Sequence, residues 1–434
     1  MPKFLFGFVI ASVAGAAIVG SLSYLPAFIA DLSQSEAGTP ARVEHQKTKE
    51  ELIAEALEKS SKIKGLYMTD SIANYALKRR SELVRLAENT KINAFVIDVK
   101  EVCGPEYDEK RLKEFLADLK SKNIWPIARI VTIKDASQRK AHPEWYLTRK
   151  TPKAPAEYEC AKKENLVVRG PEPQVNFWRD KKGGYWLDPA HPEVRQYLLD
   201  FGKKMIDLGF SELQFDYIRF PSDGITKNDV FNAIYPAWDG KISKCAAMKG
   251  LFEFLSKGLR EYKPDIILSA DLFGYAAVGL DTGIGQCLED LGDNFDYISF
   301  MLYGSHYYNG FAQKVYPARN LPAINFTASQ ARANPDVVVE RSLIFARDFF
   351  DGLIGLPKAT STIIATTTNP MPRSRARLRP WLEDFFHDQD KASGRPYGET
   401  KVRMQIDAAE RATPYGWLLW NAANIYTEAA LDKK

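Results

Sequence analysis

The sequence predicts an α/β fold: a single (β/α)8 barrel with long loops at its C-terminal face, preceded by an N-terminal transmembrane or signal helix. Three observations carry this reading. Short apolar, β-rich runs recur eight times and alternate with segments of amphipathic helical period, the pattern of a parallel sheet whose count of eight points to closure. The phosphate-cradling G-x-G-x-x-G and G-x-x-x-x-G-K-S turns that advertise many open, doubly wound sheets do not occur. An uncharged run near the start of the chain stands apart from the alternating pattern.

Composition narrows the class. The chain has 434 residues, of which 45% are hydrophobic and 26% charged, so it can bury a sizeable core, and disordered, collagen-like and disulfide-dense scaffolds are excluded. Lys+Arg 59 against Asp+Glu 55 leaves a net charge of +4, too small and dispersed a surplus to indicate nucleic acid. Five histidines and four cysteines without CxxC spacing offer little material for a metal centre, and neither a metal nor a cofactor is expected.

From Phe4 to Tyr24 no residue is charged, and Lys3 precedes the run. About 20 apolar residues match the roughly 30 Å of a bilayer core. Leu25 and Phe28, beside candidate cleavage sites near Ala27 and Ala30, fit poorly with the small residues that signal cleavage needs. A retained signal-anchor is therefore favoured over a cleaved signal. Residues 1–32 are assigned to this segment, 33–62 to a polar Lys/Glu-rich tether, and 63–434 to the barrel. The membrane is then a partner, and the barrel lies outside the cytoplasm, anchored or, after cleavage, secreted. There Cys103, Cys160, Cys245 and Cys287 can form one or two disulfides, with three full pairings open.

The predicted strands are Gly65–Met68, Ala94–Lys100, Trp125–Val131, Glu212–Phe220, Ile266–Phe273, Tyr297–Tyr303, Leu378–Phe385 and Tyr415–Asn421. The clearest helix is Pro192–Leu208, where Val194, Leu198, Phe201, Met205 and Ile206 recur at spacings of three and four. Extra length follows strands three, four and six (132–187, 221–247 and 304–376). All three insertions leave strand C-termini, the face where barrels build their sites.

Carboxylates within the strands give the functional signal. With period two, Gln214 and Asp216 share one phase against Leu213 and Phe215, Ser269 and Asp271 share one against Leu268 and Ala270, and Asp98 and Lys100 share one against Ile97 and Val99. If the apolar phase faces the helices, the acids point into the barrel mouth. Burying them costs several kcal/mol unless they are paired or hydrogen-bonded, so acids at matching depths imply a shared polar site. Glu101 lies just beyond Asp98, and Glu383 or Asp384 closes strand seven. Such a ring suits glycoside hydrolysis, in which one carboxylate attacks or activates water while a second protonates the leaving oxygen. Lys100 and Arg219 are candidates to set their pKa values apart. Tyr217, Tyr303, Trp381 and Trp420 near strand ends offer flat faces for sugar rings, and His306 offers a hydrogen bond. A purely structural ion network is the competing reading.

Eight segments recur in order that resemble the bacterial "putative glycosyl hydrolase domain" family, a relative of amylase-like barrels. They are Val96-Ile97-Asp98-Val99-Lys100, His142-Pro143-Glu144-Trp145, Trp186-Leu187-Asp188-Pro189, Phe215-Asp216-Tyr217-Ile218-Arg219-Phe220-Pro221, Ser269-Ala270-Asp271-Leu272-Phe273-Gly274, Ile284-Gly285-Gln286 with Leu288-Glu289-Asp290, Ser305-His306-Tyr307, and Arg379-Pro380-Trp381-Leu382. The resemblance implies a (β/α)8 barrel, a carbohydrate substrate, Asp216 as nucleophile and Asp271 as general acid/base. Many such barrels carry a glutamate in the latter place, which keeps Glu101, Glu383 and Asp384 as alternatives. The expectation is a retaining glycosidase acting on an extracytoplasmic poly- or oligosaccharide, with Asp98, Lys100, Glu101, Tyr217, Arg219, Tyr303, His306, Trp381, Asp384 and Trp420 binding sugar or tuning the acids. A non-catalytic carbohydrate-binding barrel of the cell envelope is the alternative.

Overall fold

Eight parallel strands close on themselves in the computed structural model, which describes residues 47–150, 159–160, 175–224, 229–279, 282–354, 374–385 and 398–434. They are β1 (Ile63–Met68), β2 (Ala94–Glu101), β3 (Trp125–Val131), β4 (Glu212–Asp216), β5 (Ile267–Phe273), β6 (Tyr297–Met301), β7 (Trp381–Glu383) and β8 (Gly416–Trp420). Each pairs in parallel with the next, and β8 returns to β1. At that seam Gly416 sits opposite Ile63 with φ +80°, and a Cβ there would fall 1.8 Å from the Ile63 carbonyl oxygen. Only glycine lets the two strands meet.

Helices cover the outside. α1 (Lys49–Lys59) precedes the barrel; α2 (Leu77–Asn89), α3 (Glu109–Ser121), α4 (Pro192–Leu208), α5 (Lys244–Tyr262), α6 (Pro335–Phe350) and α7 (Glu399–Ala412) follow β1, β2, β3, β4, β6 and β7. Among the described residues, β5 is followed by the four-residue helices Ala276–Gly279 and Leu288–Leu291. α4 has the predicted bounds. Pro192 fixes φ at its start, Gly209 at φ +114° ends it, and Val194, Leu198, Phe201, Met205 and Ile206 are buried along its length.

The strands divide by phase as a barrel requires. Leu213, Phe215, Leu268, Ala270, Ile298 and Phe300 belong to the main core with the helices. Ile63, Tyr67, Ala94, Val96, Ile127, Trp381 and Leu418 form a separate cluster in the lumen. α1 closes the base, its Ala56 and Leu57 packing with Ile267, Tyr297 and Trp125. A reciprocal cap between Thr48 and Glu51 starts it. The described end of the expected tether, residues 47–62, is thus an ordered part of the unit that spans Lys47–Lys434. The apolar run 4–24 and the rest of the tether lie outside the described residues. Among the described residues no helix is long and apolar enough to cross a membrane.

Two strands differ from expectation. β4 stops at Asp216 rather than Phe220, because Tyr217 adopts φ +51° and turns the chain out of the sheet. The seventh strand is split into Arg377–Leu378 and Trp381–Glu383. Pro380, without an N–H to give to a ladder, lies in the gap. Of the three disulfide pairings open in sequence, the structure holds Cys103–Cys160 and Cys245–Cys287, with Cα separations of 5.5 and 5.7 Å.

Candidate active site

At the C-terminal mouth, Asp98 (β2), Arg129 (β3), Asp216 (β4) and Asp271 (β5) project inward from four neighbouring strands. Arg129 is the hub. Its Nη1 donates to Asp98 at 2.6 Å and also to Glu101, its Nη2 and Nε donate to Asp216 Oδ2 at 2.6 and 3.1 Å, and its Nε lies 4.0 Å from Asp271 Oδ2. The Asp216 and Asp271 oxygens that meet on Nε are therefore no more than about 7 Å apart, within the span of two-carboxylate glycoside chemistry. Sequence reasoning passes over Arg129. The available signal is one cation in an otherwise uncharged strand, in phase with Trp125 and Ile127.

The two candidate acids have different surroundings. Both Asp216 oxygens accept hydrogen bonds, Oδ2 from Arg129 and Oδ1 from the Tyr217 amide at 2.6 Å. That amide is aimed by the left-handed backbone of Tyr217, a conformation that costs a bulky residue about 1–3 kcal/mol and so needs its surroundings to hold it. Asp271 is 1% exposed, and its Oδ1 accepts from the Trp381 indole at 2.8 Å, leaving Oδ2 to carry a proton. Burial, and next to it the Asp216 charge, push the Asp271 carboxyl well above the ordinary aspartate range. Asp98 is likewise raised, by burial and by Glu101. Burial pulls Glu101 upward, but the Arg129 charge and the hydrogen bonds it accepts together outweigh that and hold the carboxyl low.

Aromatic rings wall the opening. Tyr67 donates to Asp98 and stacks on Trp420 at 3.8 Å, while Trp381 meets Trp420 edge-on at 5.5 Å. A cavity of about 150 Å³ is lined by Arg129, Asp216, Tyr217, Arg219, Asp271, Phe273, Met301, Tyr303, His306, Trp381 and Trp420. A larger cavity, about 760 Å³, opens at the opposite end beside α1, Arg260 and Arg377, away from these acids. Substrate chemistry belongs at the strand C-termini, so the smaller space is the candidate site.

Eight of the thirteen residues singled out in sequence line that cavity. Asp98 and Glu101 join it through Arg129. Lys100, Glu383 and Asp384 do not line it; Glu383 accepts from the Ser305 amide at 3.3 Å and from the Ser305 hydroxyl. In β2 a register shift falls between Asp98, opposite Arg129, and Lys100, opposite the outward Ile130. This bulge turns Lys100 out of the lumen and brings Glu101 in, whereas strict alternation predicts the reverse. Lys100 Nζ is fully buried, 2.9 Å from Asp135 and 2.5 Å from the Val131 carbonyl oxygen. Asp384 accepts from the Thr427 amide and hydroxyl, both at 2.7 Å, and so pins the loop after β8. Phe273, Met301 and Tyr67 are site residues that sequence reasoning does not name, since nothing separates them from core residues in the linear pattern. No metal cluster is built at the mouth from the described residues; the one candidate donor group, His142, Glu144 and Glu193, lies in the loop after β3 and at the start of α4.

The model of the family described as "Putative glycosyl hydrolase domain" matches residues 65–426. No curated protein is detectably similar to the chain. Among solved structures, a hypothetical protein from Ruminiclostridium thermocellum is 25% identical over 48% of this chain and 96% of its own, with a TM-score of 0.35. The glycoside hydrolase domain of PgaB (BpsB) from Bordetella bronchiseptica is 12% identical over 84% of this chain and 94% of its own, with a TM-score of 0.50. An alpha-galactosidase from Lactobacillus brevis is 11% identical over 87% of this chain and 41% of its own, with a TM-score of 0.41. At 12% identity the likeness to the Bordetella bronchiseptica domain concerns the fold.

Proposed function

We propose, for a chain that belongs to the putative glycosyl hydrolase domain family, that the barrel mouth cleaves glycosidic bonds by a two-carboxylate, retaining mechanism. The observation that carries this reading is the pair Asp216 and Asp271, held on one guanidinium in unlike environments. Asp216, oriented from both sides by donors, attacks the anomeric carbon. Asp271 protonates the leaving oxygen from Oδ2 in the same step. It then takes a proton from the water that releases the sugar from Asp216, so its carboxyl alternates between acid and base. Raising one acid by burial while a neighbour stays in a polar, donor-rich setting is how two identical side chains take two roles. Arg129 offsets the charge of Asp216, and the Trp381 indole directs the Asp271 proton away from itself.

The substrate we propose is a poly- or oligosaccharide outside the cytoplasm. The apolar run 4–24 and the two disulfides support that compartment, since disulfides persist where thiols are not kept reduced. Incubating the full chain with a panel of envelope polysaccharides tests the reading, by release of reducing ends and by the anomer formed first. Release with retained configuration is expected. Binding without release from any glycan would instead favour a non-catalytic carbohydrate-binding barrel, and inversion would replace nucleophilic attack by base-activated water.

A further inference from the structure

Among the described residues, three buried cations near the mouth are matched with carboxylates, and Arg219 is not. Lys100 lies 2.9 Å from Asp135, Arg129 lies 2.6 Å from Asp98, and Lys134 lies 2.9 Å from Asp180. Arg219, only 7% exposed, has no carboxylate within 4.0 Å among the described residues. Its Nη1 donates to the Phe220 carbonyl oxygen at 3.1 Å and to Ser222 Oγ at 3.3 Å. Its Nε and Nη2 bond to no atom of the described residues, and neither is among the sealed, unpartnered polar atoms of the interior. Each therefore keeps some exposed surface, on a side chain that lines the cavity.

The guanidinium is held rather than loose. The Phe273 ring lies 4.6 Å from it, the Tyr217 ring 5.0 Å and the Trp186 ring 5.1 Å. Aromatic faces partly compensate a desolvated cation without occupying its hydrogen-bonding edge. A buried charge with no counter-ion is costly, and a protein retains one where a ligand completes the pair. The acids of the mouth do not need Arg219, because Arg129 already bridges them. The Nε–Nη2 edge presents two parallel N–H groups, the fork that a planar oxyanion accepts in bidentate fashion.

We propose that Arg219 selects a sugar bearing an oxyanion, with the carboxylate of a uronic acid as the group its free edge fits. This deepens the glycosidase reading of the mouth and rests on it. Sulphate esters present the same edge chemistry and are the second source to separate. The acidic substituent sits over Arg219, inside the ring of Trp186, Tyr217 and Phe273, while the reacting bond faces Asp216 and Asp271.

The test titrates the full chain with matched sugars: D-galacturonic acid against D-galactose, D-glucuronic acid against D-glucose, and galactose 6-sulphate as the ester arm. Tryptophan fluorescence reads occupancy. The uronic acids are expected to bind about tenfold or more tightly than their neutral partners, the worth of a charged hydrogen-bonded pair. Arg219→Gln should erase that ratio, and Arg219→Lys, which keeps the charge but not the fork, should retain part of it. Tighter binding of the sulphate arm than of the uronates would overturn the carboxylate assignment. Equal affinities in the native chain, a ratio unchanged in Arg219→Gln, or no binding of any sugar would overturn the proposal. Should Arg219→Gln fail to fold, the salt dependence of the native ratio decides, because a ratio that persists unchanged at high ionic strength is not electrostatic. Release of reducing ends, followed in parallel, separates the two readings. An Arg219-dependent acidic preference without cleavage sinks the hydrolase and keeps this inference; cleavage of neutral glycans without the preference does the opposite.

Discussion

The lumen of the barrel holds buried carboxylates at both ends, and the two ends behave differently. At the base, Glu212 meets one cation. Its Oε1 accepts from Arg379 at 2.7 Å and Ser269 Oγ at 2.6 Å, its Oε2 accepts from the Trp125 indole at 3.2 Å, and Arg379 lies 3.8 Å over the Tyr297 ring. Two inward steps along the same strand, Asp216 belongs to a set in which Asp98, Glu101, Asp216 and Asp271 share one guanidinium. One acid for one cation, sealed by helix α1 below, gives a fixed ion pair. Four acids for one cation cannot all ionise, and the surplus leaves protons available beside a solvent-filled opening. An acid in a barrel strand is therefore no signature of chemistry by itself. The ratio of acids to cations, together with access to a cavity, is.

The sharpest way to break that comparison exchanges the two ends of β4. Asp216→Asn should lower kcat on a cleaved glycoside on the order of a thousandfold or more, while the thermal midpoint shifts little. Glu212→Gln should do the reverse, costing about 3 kcal/mol by leaving Arg379 without its counter-charge, with the folded protein turning over normally. Denaturant titration and steady-state kinetics on the same two variants check both halves. Loss of kcat in Glu212→Gln comparable to that in Asp216→Asn would erase the distinction between base and mouth.

A second test uses the surplus proton. A general acid must be protonated at the start of each turnover, and burial with the Asp216 charge holds the Asp271 carboxyl well above its ordinary range. Turnover should therefore persist below that raised value and fall as pH rises through it. Asp271→Asn should remove this alkaline limb and slow glycosides with poor leaving groups by about 10²–10⁴-fold. It should spare only the first step on aryl glycosides whose leaving group needs no proton, seen as a burst of aglycone, because release of the sugar from Asp216 still lacks its base. An alkaline limb that survives the substitution assigns the acid to another group, with Asp98, the other raised carboxyl on Arg129, the next candidate.

Much of this arrangement is legible in the linear chain, for physical reasons that also mark where legibility stops. Period-two alternation places Asp216 and Asp271 inward because Leu213, Phe215, Leu268 and Ala270 require the helical shell, and α4 is readable because a stripe, a proline and a glycine agree. Lys100 misleads because a one-residue bulge reverses a strand's phase, and nothing in Asp98-Val99-Lys100-Glu101 announces it. Arg129 escapes notice because attention to acids overlooks the cation that must hold them. The end of β4 at Asp216 depends on a left-handed tyrosine, a conformation that local sequence disfavours and tertiary packing imposes. Which cysteines pair is set by how loops after different strands meet, which spacing along the chain does not encode.

The smallest effect separates an acid of the mouth from an acid of its frame. Asp384 lies near the end of the seventh strand, but it bonds to Thr427 rather than facing the cavity. Burial raises its carboxyl to about 6, partly offset by the Thr427 bonds. A carboxyl raised on folding stabilises the native state fully below its unfolded value and loses that contribution as pH rises through the folded one. Stability should thus fall between about pH 4 and pH 6 by about 2 kcal/mol on account of this group. Asp384→Asn should flatten that segment of the curve of thermal midpoint against pH, to which Asp98 and Asp271, also raised, add declines of their own. Because the side chain bonds to Thr427 in the loop after β8 and does not line the cavity, kcat should change less than tenfold, far less than for Asp216→Asn or Asp271→Asn. A curve left unflattened, with turnover abolished, would move Asp384 from the frame into the site and make it a rival for the proton now assigned to Asp271.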